Sequence, residues 1–123
     1  MSSILIADKS QDVLEVMKVL LEKDGYEIKP VLSEKILFKE LEHAIADIIL
    51  LDTSFSGDKG KEICKEIKSN RKTRNIPIIL MSTNDKLLSD HEECGAIDVL
   101  SKPFHFRDLK KKIKSVLELI DAD

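Results

Sequence analysis

The stretch Ile48-Ile49-Leu50-Leu51-Asp52 decides the fold. Four aliphatic residues run without a polar interruption and end on a carboxylate. A strand with one solvated face alternates apolar and polar side chains. An unbroken run instead reads as a strand covered on both faces, as in a parallel sheet. Two further runs of this kind stand at Ile4-Leu5-Ile6-Ala7 and at Ile76 to Met81. Weaker strand candidates are Tyr26 to Val31 and Asp98 to Ser101.

Helical patterns lie between the runs. From Gln11 to Lys23, Val13, Val16, Met17, Leu20 and Leu21 recur at three and four residues, with Gly25 as a stop. Ser33 is a cap for a helix with Ile36, Leu37 and Leu41 on one face. Lys59 to Asn70 carries Ile63 and Ile67, and Arg107 to Ile120 carries Leu109, Ile113, Val116, Leu117 and Ile120. Asp85 to Cys94 is a weak helix, with Leu87 and Leu88 as its strong apolar residues. Strand and helix therefore alternate five times. Because crossovers are right-handed, that alternation calls for an α/β fold with helices on both faces of a parallel sheet.

A chain of 123 residues fits one domain, 1–123, and can bury a core without staples. The net charge of −3 argues against a nucleic-acid partner, which calls for a basic balance or a basic face. The one basic run, Lys110-Lys111-Lys112, reads as a solvated helix face. Cys64 and Cys94 read as free thiols, since His91 beside Cys94 falls far short of a zinc site. No signal peptide and no membrane span is visible, so a cytoplasmic protein without a membrane partner is expected.

In an open α/β sheet, sites form beyond the carboxyl ends of the strands. There stand Asp8 after the first strand, Asp52 after the third, Ser82 and Thr83 after the fourth, and Lys102 before Pro103 after the fifth. Singly, each is an ordinary turn residue. Together, two carboxylates, a hydroxyl and an ammonium suit a phosphoryl group with a divalent cation. Carboxylates bind Mg²⁺, a carboxylate can become an aspartyl phosphate, and an ammonium neutralises transferring oxygens.

At these positions the chain resembles the receiver domain of two-component response regulators. The resemblance rests on Ile4-Leu5-Ile6-Ala7-Asp8, on Ile48-Ile49-Leu50-Leu51-Asp52 with Gly60 eight residues on, on Pro77 to Ser82, and on Gly95-Ala96 with Ser101-Lys102-Pro103-Phe104. It implies a five-stranded, doubly wound, flavodoxin-like sheet of order 2-1-3-4-5. It implies Asp52 as phosphoacceptor, Asp8 and the Ser54 backbone carbonyl with Asp52 around Mg²⁺, Lys102 on a phosphoryl oxygen, and Ser82 turning toward the phosphoryl group. The implied partners are a histidine kinase or phosphotransfer protein and a downstream protein. The role is that of a signalling partner rather than an enzyme.

The chain departs from the family pattern at four places. Lys9 replaces a second acid that binds the metal, which weakens Mg²⁺ binding; its ammonium either pairs with Asp8 and Asp52 or, the reading preferred, runs out to solvent. Ser56 replaces a proline. Val99 replaces an aromatic switch residue. The segment from Ser82 to Lys102 is short, so the fourth helix is expected to be short or irregular. Lys9 and Val99 keep open an alternative, a pseudo-receiver that binds partners without phosphorylation. An aspartate-nucleophile phosphatase needs a second acid where Ser54 stands, and Asp8-Lys9-Ser10-Gln11 lacks the glycines of a nucleotide-binding turn.

Overall fold

Strands β1 (Ser3–Ala7), β2 (Glu27–Val31), β3 (Ile48–Asp52), β4 (Ile78–Ser82) and β5 (Asp98–Ser101) pair in parallel in the order β2-β1-β3-β4-β5. This is the sheet order the sequence reading expects. The computed structural model describes residues 2–121; Met1, Ala122 and Asp123, which the one-domain reading includes, lie outside them. The helices are α1 (Gln11–Glu22), α2 (Glu34–His43), α3 (Gly60–Ser69), α4 (Asp85–Leu88) and α5 (Phe106–Asp121), with a 3₁₀ turn at His91–Cys94. A further turn at Phe55–Asp58 is no regular helix, because Ser56 and Gly57 are left-handed, at φ 55° and 69°.

Side chains alternate across a strand, so each strand feeds both faces. Leu5, Ala7, Ile49, Leu51, Ile78 and Leu80 face one side and pack with Leu37 and Leu41 of α2, Ile63 and Ile67 of α3, and Leu88 of α4. Ile4, Ile6, Ile48, Leu50, Ile79 and Met81 face the other and pack with Leu14, Met17 and Leu21 of α1 and Leu109, Ile113 and Val116 of α5. Cutting a fully buried residue such as Ile63 back to alanine costs about 2–5 kcal/mol.

Several expectations change in detail. The buried stripe of α1 is Leu14, Met17 and Leu21, whereas Val16 is exposed. Ile36 and Ile120 are also exposed rather than on the packed faces. The run at Ile76 starts before the ladder does, because Pro77 has no amide hydrogen to give it; its carbonyl still accepts from Ile49 N–H at 3.0 Å. The basic run is not simply a solvated face. Lys110 pairs with Asp24 at 2.8 Å and lies over the Phe106 ring, and Lys112 pairs with Asp98 at 3.1 Å.

Ser10 and Ser33 cap α1 and α2 by accepting from the amides of Val13 and Ile36. Gly25, at φ 90°, follows α1 as the expected stop. The fourth helix is as short as expected. Four residues cannot hold a helix by themselves, and α4 is tied down from outside. Asn84 caps it by accepting from Lys86 N–H at 3.0 Å. Ser101 Oγ donates to Asp85 at 2.7 Å, and Lys61 of α3 pairs with Asp90 just beyond.

Candidate functional site

The same alternation sorts the residues at the carboxyl ends of the strands. Asp52 shares the β3 face of Ile48 and Leu50, the α1/α5 side, and Asp8 and Lys102 continue that side from β1 and β5. Ser82 shares the β4 face of Ile78 and Leu80, the α3/α4 side, and Thr53 continues that side from β3. The charged groups therefore gather on one side of the sheet edge and the Thr53 and Ser82 hydroxyls on the other.

Lys102 Nζ is the hub of the charged group. It donates to Asp8 Oδ2 at 2.7 Å and stands 2.5 Å from Asp52 Oδ2. Both carboxylates are buried, Asp8 at 2% and Asp52 at 4% exposure. The second oxygen of Asp52, Oδ1, accepts from Ser54 N–H at 2.8 Å and from Ser54 Oγ–H at 2.6 Å. Asp8 Oδ1 accepts from Ser10 N–H at 3.0 Å. The Lys102–Pro103 peptide is cis.

These contacts set the charge states. Burial pushes the Asp52 carboxyl up, but hydrogen bonds from Lys102 and Ser54, with the Lys102 charge, outweigh it and hold the group below its ordinary value. Burial acts on Lys102 in the opposite sense, and its bonds to Asp52 and Asp8 outweigh that too, holding the ammonium above the ordinary lysine value. Asp52 is thus an ionised carboxylate with a cation beside it. That is the state a nucleophile needs when its target carries anionic oxygens.

A glycine fixes where this carboxylate sits. A side chain at Gly60 would begin 2.4 Å from the Asp52 carbonyl oxygen and 2.5 Å from the Thr53 Cα. The start of α3 can therefore lie against the end of β3 only without one, and Gly60 N–H donates to Thr53 O at 3.1 Å.

Ser82 does not share the hub. Its Oγ accepts from Thr53 Oγ1–H at 2.6 Å and from Asn84 N–H at 3.0 Å. Lys9 is exposed and, among the described residues, forms no ion pair. The cation between Asp8 and Asp52 is Lys102, so the reading with Lys9 running to solvent describes its position. Val99 is half-buried and packs on the α3/α4 face. Thr53 and the Ser54 hydroxyl were absent from the sequence reading; the signal was two hydroxyl residues directly following Asp52 at the end of an apolar run.

The donor set fits Mg²⁺ in kind. The Asp8 and Asp52 carboxylates and the Ser54 carbonyl are hard oxygen donors. The Ser54 carbonyl accepts from Asp58 N–H at 3.2 Å and keeps a second lone pair. Among the described residues no three acidic, histidine or cysteine side chains converge on a metal position.

The chain matches the response regulator receiver domain over residues 4–114. Sensory transduction protein RegX3 of Mycobacterium tuberculosis is 30% identical over 119 residues, covering 95% of this chain and 51% of RegX3. This chain thus spans about half the length of the first curated relatives it matches. Response regulator TrrA of Thermotoga maritima, solved with Mg²⁺ and beryllofluoride, is 29% identical at a TM-score of 0.83, covering 94% of this chain and 99% of that one. The receiver domain of sensor histidine kinase PA1611 from Pseudomonas aeruginosa, solved with magnesium in its active site cleft, is 25% identical at a TM-score of 0.83, covering 95% and 98%. The family match starts inside β1, ends inside α5 and takes in every connection between them: the chain belongs to the response regulator receiver domain family.

Proposed function

We propose that residues 1–123 form one receiver domain that accepts a phosphoryl group on Asp52 from a histidine kinase or phosphotransfer protein in the cytoplasm, and signals by phosphorylation-dependent binding of a downstream protein. The observation that carries this reading is the ionised Asp52 carboxylate with Lys102 Nζ at its side. An Asp52 oxygen attacks phosphorus, an O–P bond forms, and the P–N bond of a phosphohistidine breaks with its electron pair going to the imidazole. Lys102 follows the charge from the carboxylate to a phosphoryl oxygen. Ser54 holds the other Asp52 oxygen through two hydrogen bonds and so orients the carboxylate. Asp8, Asp52 and the Ser54 carbonyl would hold Mg²⁺, which when bound neutralises phosphoryl oxygens. Later attack of water on phosphorus returns the carboxylate and releases inorganic phosphate.

The test is intact mass after incubation with a small phosphodonor and Mg²⁺. The expected result is a gain of one phosphoryl group that Asp52→Asn abolishes. An unchanged mass at high Mg²⁺, with the fold intact, overturns the reading. Lys9 and Val99 favour a second reading in that event, a pseudo-receiver that binds its partner without phosphorylation. Its signature is partner binding insensitive to both Mg²⁺ and Asp52→Asn.

A further inference from the structure

Ser82 has the hydroxyl chemistry to meet a phosphoryl group on Asp52, but it lies on the opposite side of the sheet edge from that carboxylate. A hydroxyl has one proton to give and two lone pairs. Both lone pairs of Ser82 Oγ are engaged, one by Thr53 Oγ1–H at 2.6 Å and one by Asn84 N–H at 3.0 Å. Both hydroxyl residues are buried, Thr53 at 3% and Ser82 at 2% exposure. Buried hydrogen bonds between groups that water cannot replace resist rearrangement. Asn84 is also the residue that caps α4 through Lys86 N–H. A continuous chain of hydrogen bonds thus runs from the residue after Asp52 to the first turn of α4.

We propose that Thr53 is a positioning residue: its hydroxyl latches Ser82 to the α3/α4 side of the sheet and, through Ser82 and Asn84, holds the start of α4 in its unphosphorylated place. The proposal rests on the phosphoacceptor reading of Asp52 and adds the group that opposes the switch. Turning Ser82 toward Asp52 breaks the Thr53 bond and frees the Asn84 amide in the same movement. The threonine therefore sets how far the free domain leans away from the activated state. Its backbone is independently fixed, by Thr53 N–H donating to Met81 O at 2.9 Å, so the side chain can be altered without releasing the strand end.

The test compares the wild-type chain with Thr53→Val, which keeps the shape and removes the hydroxyl, and Thr53→Ser, which restores it. Thr53→Ala serves if the valine variant does not fold. Two readouts are taken: backbone amide shifts of Asn84 and of Asp85 to Leu88, and the affinity for beryllofluoride with Mg²⁺. Removing the hydroxyl is expected to move the free-state amides toward their beryllofluoride-bound positions. It is expected to raise the beryllofluoride affinity by roughly two- to tenfold, the range one such bond supports. Thr53→Ser is expected to reverse both. Unmoved α4 amides, or an affinity that stays level or falls, overturns the latch. A wild-type chain that ignores beryllofluoride overturns the phosphoacceptor reading and the latch with it. A responsive wild type with an unresponsive Thr53→Val overturns the latch alone.

Discussion

The Lys102 ammonium stands 2.5 Å from Asp52 Oδ2 while also donating to Asp8 at 2.7 Å, so one cation serves two buried carboxylates. Removing it leaves both unpaired, and uncompensated buried charge is strongly destabilising. Lys102→Met is expected to lower stability by about 3 kcal/mol near neutral pH, measured by urea unfolding. Adding Asp8→Asn to it, or adding Mg²⁺, is expected to recover part of the loss. The sign of the pH dependence follows from the two shifts. The lowered Asp52 value gives stability that is present above the ordinary 3.8 and is lost as pH falls through the depressed value. The raised Lys102 value gives stability present below the ordinary 10.5 and lost as pH rises through the elevated one. The difference between wild type and Lys102→Met is therefore expected to shrink at both extremes of pH.

Gly60→Ala tests how the Asp52 carboxylate is seated. The added methyl would meet backbone, the Asp52 carbonyl oxygen at 2.4 Å and Thr53 Cα at 2.5 Å, and no flexible side chain can yield. The end of β3 and the start of α3 have to part. A loss of about 3 kcal/mol is expected, with phosphorylation of Asp52 slowed in the fraction that still folds. Thermal unfolding and the mass assay read the two effects, and a variant as stable as wild type would refute the close approach.

Lys9→Asp changes the charge beside the carboxylates by two units. Lys9 is exposed, so the substitution disturbs no packing. Mg²⁺ affinity is expected to rise by about tenfold or more, since ligand charge governs the affinity of such sites. Calorimetric titration with Mg²⁺ measures it, and equal affinities would mean that Lys9 stands too far from the metal to matter.

Tyr26 is the only tyrosine in a chain without tryptophan, so its ionisation can be followed alone by ultraviolet absorbance. Burial, then the nearby Asp24 charge, push its phenol above 10.0, and Lys110 pulls the other way. The folded protein is expected to titrate above 10.0 and to return toward it in denaturant. Asp24→Asn should lower the folded midpoint and Lys110→Met should raise it. A phenol with a raised folded value stabilises the fold below 10.0, and that contribution is lost as pH climbs through the folded midpoint.

Much of the fold was legible because buried parallel strands write themselves as unbroken apolar runs, as at Ile48 to Leu51. Asp8, Asp52 and Lys102 were legible as a group because parallel strands bring their carboxyl ends to one edge. What escaped was sidedness. Ser82 looked equivalent to its neighbours because the register that turns it toward Thr53 depends on where β4 begins, and Pro77 blurs that start. Val16 in place of Leu14 is the same kind of error on a helix, where adjacent apolar residues leave the buried stripe ambiguous. The Lys110 and Lys112 pairings escaped because Asp24 and Asp98 approach α5 only through the tertiary fold.

The brevity of α4 has a thermodynamic consequence. A long, well-packed helix opens only near the cost of global unfolding, whereas a single turn held by a cap and two tethers belongs to the low end of the local-opening scale. Among its four residues only Leu88 is buried. An input worth no more than one hydrogen bond can then repopulate this segment while leaving α1, α3 and α5 at their native occupancy. Regulation in this domain need not deform the sheet; it has only to change the odds at the part that is cheapest to melt.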